Sequence, residues 1–268
     1  MRWKMGLCWC GALRYDSLQT SLTKRFGHGL QFLASYTYAR LFDTEAGISG
    51  YVGIGADPPG NQDDPKARYG PASSIRPHRL TVSFVYELPK PVPDKFAGYL
   101  LKNWTVSGVS TVQSGHPLTI TSTNANNVFG INAYGGDLGE WAPGCNRWKL
   151  ETPGAVSKKL NNYFNQSCVA PYPIVGDDGI ATGFGNMGVG LVNGPGQLNF
   201  DLAVSRQFPA NWFGRESAWL FRTEFFNAFN TPNFQDPDLN ISDGAAFGVI
   251  NSTLGNPRVI QFALKYNF

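Results

Sequence analysis

The sequence predicts an all-β protein, an antiparallel transmembrane β-barrel segment of about seven strands with long extracellular loops. Three observations carry that expectation. Apolar and polar residues alternate with period two over stretches of about ten residues, the length that crosses a bilayer at a ~45° tilt. The connections between these stretches alternate between short and long. Charged residues make up only 15% of the 268 residues and aromatics 14%, with 31 Gly and 18 Pro. An ordinary soluble domain carries about 25% charge, and so many turn formers suit a chain that reverses often.

The elements follow in order. From Asp16 to Phe26, the residues Leu18, Thr20, Leu22 and Phe26 alternate with Ser17, Gln19, Ser21, Thr23 and Arg25. Gly27-His28-Gly29 predicts a tight turn, since glycine reaches positive φ without steric cost. Leu30, Phe32, Ala34, Tyr36 and Tyr38 then alternate with Gln31, Leu33, Ser35, Thr37 and Ala39, which completes a hairpin with one apolar and one mostly polar face. The third stretch sets Leu80, Val82, Phe84, Tyr86 and Leu88 against Arg79, Thr81, Ser83, Val85 and Glu87. The fourth places Trp104, Val106 and Val112 opposite Thr105, Ser107, Thr111 and Gln113. Phe200, Leu202, Val204 and Phe208 form the fifth apolar face, and Trp219, Phe221, Thr223 and Phe225 the sixth. Ile260, Phe262, Leu264, Tyr266 and Phe268 form the last, opposite Gln261, Lys265 and Asn267.

Short connections fall at 27–29, 89–103 and 209–216, and long ones at about 41–78, 124–196 and 228–257. If the last strand ends on the periplasmic side, every short connection is periplasmic and every long one lies outside, as in outer-membrane barrels. The faces then have assigned solvents. In a soluble sandwich the apolar faces meet each other. In a membrane barrel they meet lipid, and the polar faces line a wet lumen. On the barrel reading Leu30, Phe32, Leu80, Phe84, Phe262 and Leu264 face lipid. Arg79, Glu87, Arg222, Glu224 and Lys265 are lumen-lining candidates, with Arg222 and Glu224 read as part of an ion-pair network between strands.

Other chemistry is excluded or weak. A net charge of +3 is too balanced for a nucleic-acid binder, and the aromatics and basic residues fall on opposite faces. Gly183 to Gly188 matches G-x-G-x-x-G, but the Gly/Pro-rich run after it cannot form the helix a dinucleotide site needs; it reads as a flexible loop. Asp236 to Asn240 begins like a calcium loop, then departs at Ile241 and Phe247, and with Asp63-Asp64 it reads as a solvated acidic turn. His28, His78 and His116 lack ligand spacing. No enzyme activity and no cofactor are expected. Cys8 and Cys10 do not make a zinc site. Cys145 and Cys168 share the long external loop, where a disulfide can form and persist, and they are expected to pair.

Several motifs together resemble a known family. They are Tyr15 to Gln19 with Lys24-Arg25-Phe26, Phe32 to Tyr38, Arg76-Pro77-His78-Arg79, Gln113-Ser114-Gly115 with Pro117, and Gly194-Pro195-Gly196. The strongest are Arg222 to Phe234 and Gly255 to Phe268. In order and spacing these resemble the C-terminal part of the barrel of TonB-dependent outer-membrane receptors. The nearest type is the Oar-like group, whose members often carry a carboxypeptidase-regulatory-like domain. The resemblance implies a 22-stranded barrel holding a plug, located in the outer membrane of a Gram-negative-type bacterium and taking up a scarce nutrient. It also implies contact with outer-membrane lipid, with the barrel-assembly machinery and, through the plug, with an inner-membrane energy-coupling complex. Tyr266 and Phe268 would then serve as the assembly signal of the final strand. Having about seven strands and no plug, residues 14–268 are read as the last third of such a barrel, not competent alone, after a ragged segment 1–13. Two alternatives remain open here: a self-standing outer-membrane adhesin or structural barrel, and a soluble carbohydrate-binding β-sandwich.

Overall fold

The computed structural model describes residues 12–44, 66, 69–89, 103–122, 137–170, 185–210 and 217–268. Seven long strands dominate it: β1 (Leu13–Gly27), β2 (Leu30–Asp43), β3 (His78–Glu87), β4 (Trp104–Gln113), β5 (Gln197–Pro209), β6 (Ala218–Phe226) and β7 (Val259–Asn267). Each pairs antiparallel with its chain neighbour, in the order β1-β2-β3-β4-β5-β6-β7, and Gly70–Pro71 adds a two-residue piece beside β2. β1 and β7 do not pair with each other, so the sheet is open. His28 (φ 54°) and Gly29 (φ 78°) form the β1–β2 turn, with the positive dihedrals that match the twist of a tight hairpin.

β1 and β2 run further than their alternation predicts, with Arg14 opposite Phe42 and Leu13 opposite Asp43. The reason is a change of solvent along the strand. Arg14, Asp16 and Arg40 continue the face that carries Leu18 and Tyr38, and Arg14 pairs with Asp16 at 2.8 Å. The strands rise beyond the apolar band, so the hydrophobic signal stops while the hydrogen-bond ladder goes on.

The register aligns the apolar residues into rows. Phe32, Phe84, Gly108, Leu202, Phe225 and Ile260 lie across six strands in one line. A Cβ on Gly108 would stand 2.8 Å from the ring of Phe84, so the glycine makes room for an aromatic neighbour on the adjacent strand. Leu30, Leu80, Phe262 and Leu264 share this face. No second sheet covers it among the described residues, and Phe262 and Leu264 are 70% and 65% exposed. The soluble sandwich fails on this point, because its apolar face would be packed against a partner sheet.

The water-excluded core lies outside the sheet, at the end where the long connections gather. Leu118, Ile120, Leu150, Phe164, Met187, Val192 and Phe247 are buried together there. Short ladders knit these segments: Pro117–Leu118 with Val192–Asn193, Thr121–Ser122 with Asp137–Leu138, and Glu140–Trp141 with Val169–Ala170. The one-turn helix α1 (Arg147–Leu150) is capped by the Asn146 side chain, which accepts from the Trp148 and Lys149 N–H groups. This folded unit is the cap.

The described part of the Gly-rich stretch read as a flexible loop, 185–188, has no helix or strand and is packed into the cap. Met187 is 1% exposed. A Cβ on Gly185 would stand 1.9 Å from the Leu138 carbonyl oxygen, so that glycine permits close backbone packing. Gly183 itself lies outside the described residues. So do Cys8, Cys10, Asp63, Asp64, nearly all of segment 1–13, and most of the connections 89–103 and 209–216.

Candidate functional site

The polar face of the sheet carries the candidate lumen wall. Two adjacent rows flank a trough of about 540 Å³ on this face. One row contains Leu33, Ser83, Val109 and Asp201, and the other Gln31, Val85, Ser107, Ala203 and Glu224. The backbone of the apolar-face row between them forms its floor, which places the concavity on the polar side. The wall is less polar than its neighbouring rows. Leu33 and Val109 are 42% and 44% exposed, and Val85 stands diagonally between them.

The lumen-lining candidates do not converge on one point. Arg79 and Glu87 occupy opposite ends of β3, with Arg79 beside Gln113 and Glu87 beside Thr105. Lys265 lies opposite Leu220, at the short-turn end of β7. Only Arg222 and Glu224 meet, at 2.7 Å. Their contact lies within β6 rather than between strands, because residues two apart on a strand project to the same face. Among the described residues, no group of three or more His, Cys, Asp or Glu side chains is arranged to hold a metal ion.

The cap leans over the same polar face. Leu41, on that face of β2, packs with Ala72, Leu138 and Val189. The ionisable contacts here fall on residues that the sequence did not mark as lumen-lining, His116 and Asp236 among them. His116 Nε2 lies 3.1 Å from Asp236, tying the connection after β4 to the connection between β6 and β7. Asp236 is therefore an anchor as well as a turn residue. Arg76 donates to the carbonyls of Ser114 (2.8 Å) and Pro195 (3.4 Å). Burial lowers its pKa, against the opposing pull of the Asp236 carboxylate. Tyr163, 5% exposed, donates its hydroxyl to the Asn193 carbonyl at 2.9 Å. Burial, reinforced by Glu151 and Asp236, pushes its pKa up to about 12. Lys159 stacks on the Tyr163 ring at 4.2 Å and donates to the Thr152 carbonyl; burial lowers its pKa while Glu151 raises it. Cys145 and Cys168 are bonded, with Cα atoms 5.3 Å apart, and the bridge ties the start of the α1 segment to the ladder at Val169–Ala170.

On the apolar face, aromatic residues collect at both ends. At the short-turn end Trp219 lies 4.6 Å from Tyr266, and Tyr266 lies 5.9 Å from Phe268. Arg206 stacks there over Phe208 at 4.3 Å and Trp104 at 5.6 Å. At the long-loop end the Tyr36 hydroxyl bonds His78 Nδ1 at 2.8 Å, and Phe200 packs 4.9 Å from Phe229. From His78 to Tyr86 the strand covers about 27 Å, or roughly 20 Å along the membrane normal at a ~40° tilt. Two belts of Tyr, Trp and Phe bounding an apolar band of that height form the outer surface of a membrane barrel.

A family model for the outer membrane beta barrel domain matches residues 7–261. The chain belongs to this family. The outer-membrane barrel is thus located in the cell's outer membrane, with its apolar face against lipid and its polar face toward the lumen. By the loop-length rule for such barrels the cap faces the exterior. No curated protein and no solved structure matches the chain.

Proposed function

We propose that this outer-membrane barrel forms part of the wall of a TonB-dependent receptor of the Oar-like type, which takes up a scarce nutrient. One observation carries the reading: the apolar stripe of Leu33, Val85 and Val109 on the lumen side. A water-filled channel is lined by polar side chains. An aliphatic stripe left in water forfeits about 25 cal/mol per Å² of apolar area. A plug packed inside the barrel would cover it. On this reading the open edges of β1 and β7 pair with further strands, and the plug carries the contact to the energy-coupling complex. The barrel-assembly machinery reads the strand ending at Tyr266 and Phe268. No step in this function requires a catalytic residue.

The test is thiol accessibility in outer membranes from the native host. Val109→Cys should resist a membrane-impermeant maleimide while Asn161→Cys on the cap reacts at once. Equal labelling of the two would show a lumen open to water and overturn the reading. Nutrient-limited growth should also require both this locus and an intact energy-coupling complex.

A further inference from the structure

We propose that the cap carries a docking groove for neutral oligosaccharide on its outer surface. The groove lies within the loop closed by Cys145 and Cys168 and has a volume of about 520 Å³. One wall is the segment from Lys149 to Pro153, and the other runs from Asn161 to Ser167. The buried Phe164 anchors the second wall from beneath, in contact with Phe247 at 5.5 Å. The floor is therefore fixed while the rim stays polar.

The rim chemistry selects the ligand class. Asn161, Asn162, Asn165 and Gln166 place four carboxamides along one side. A carboxamide offers a donor and an acceptor together, which matches the paired hydroxyls of a sugar ring. Asn165 spends its carboxamide within the cap, accepting from Ser167 and donating to the Lys149 carbonyl, and the Gln166 amide donates to the Phe247 carbonyl. These two fix the wall, and the exposed Asn161 and Asn162 are the carboxamides that face a ligand. The charges on the rim cancel: Lys149 faces the groove along with Glu151, and Lys149 itself donates to the Gly144 carbonyl at 2.7 Å. That balance disfavours a phosphate or sulfate ligand. An exposed aromatic residue precedes the groove's first lining residue in the chain. Trp148, the residue before Lys149 on α1, is 84% exposed, and an indole face in water provides a stacking surface for the C–H face of a sugar. The Arg147 guanidinium lies 5.7 Å from that ring. The groove is lined by residues of the 145–168 loop alone, so this inference does not depend on the receptor reading.

The test uses the whole chain, folded in an amine-oxide detergent so that no sugar headgroup competes. Maltoheptaose, cellohexaose, laminarihexaose and chitotetraose are titrated by calorimetry, with a sulfated heparin oligosaccharide as the anionic control. At least one neutral glycan should bind saturably, and the control should not. Asn161→Ala with Asn162→Ala, and separately Trp148→Ala, should each weaken binding at least tenfold. These side chains are exposed, and the intact disulfide and the heat-dependent gel shift report that the fold is retained. Absence of saturable binding by all four neutral glycans would overturn the proposal. Preference for the sulfated control, or unchanged affinity in both variants, would do the same.

Discussion

Tyr163 shows how much a single side chain in the cap is set by its surroundings. Its hydroxyl is buried and already committed to the Asn193 carbonyl, so ionising it in place costs more than ionising it in an unfolded chain. Its pKa is raised from 10.0 to about 12. Below pH 10 the group is neutral in both states and has no pH-dependent effect. Between about pH 10 and 12 the unfolded chain releases the proton and the folded cap retains it. Stability therefore falls as pH rises through that window. Lys159, shifted down by burial, acts with the opposite sign, so the tyrosine is best isolated by difference. Tyr163→Phe should lose the hydrogen bond at every pH, about 1 kcal/mol. It should also remove part of the alkaline decline, measured as the midpoint of cap unfolding against pH. An identical alkaline slope in the variant would contradict the assignment. Arg222 and Glu224 illustrate the other limit. Their side chains are 47% and 24% exposed, and an ion pair in that setting contributes under about 1 kcal/mol.

Individual strands answer to lipid. Phe84 lies in the middle of the apolar rows and Tyr86 near the periplasmic belt. Phe84→Arg should cost about 2–4 kcal/mol of barrel stability, and Tyr86→Arg about 0–1 kcal/mol. Urea titration in lipid vesicles checks both, and equal costs would mean that the face does not span the bilayer. At the final strand, Phe268→Ser removes a ring stacked on Tyr266 and should lower the amount of heat-modifiable barrel recovered from membranes; an unchanged amount would sink the assembly role. These strands were legible in the sequence because lipid on one side and water on the other impose period-two alternation on every residue between the belts. Their upper ends were not, since Arg14 and Arg40 are strand residues standing in water. The cap was not legible either. Its core joins Leu118, Leu150 and Met187 of the β4–β5 connection with Phe247 of the β6–β7 connection, single apolar residues far apart in the chain whose spacing has no period. Only its cysteine pair left a readable mark, and the groove residues read simply as polar loop.

At the scale of the whole molecule, two structures with different solvents share one chain. The sheet has a lipid face and a lumen face with no dry interior between them, whereas the cap has a buried core like that of a small soluble domain. Reduction should therefore act on one and spare the other. The bridged residues are 23 apart, and closing such a loop contributes roughly 3 kcal/mol in the chain-entropy model. Reductant should expose the 145–168 region to protease while the gel shift of the sheet stays the same; loss of both together would show that the two units are one cooperative block. The separation of the cap core from the sheet also has a calorimetric consequence. The heat-capacity increase on unfolding arises from apolar surface newly wetted by water. While the sheet spans the bilayer its outward side chains stay in lipid and its ladder stays paired, so melting of the cap wets no apolar surface on that face. The heat-capacity step should then belong to the cap, and it should appear at the cap's own melting temperature while the sheet still stands.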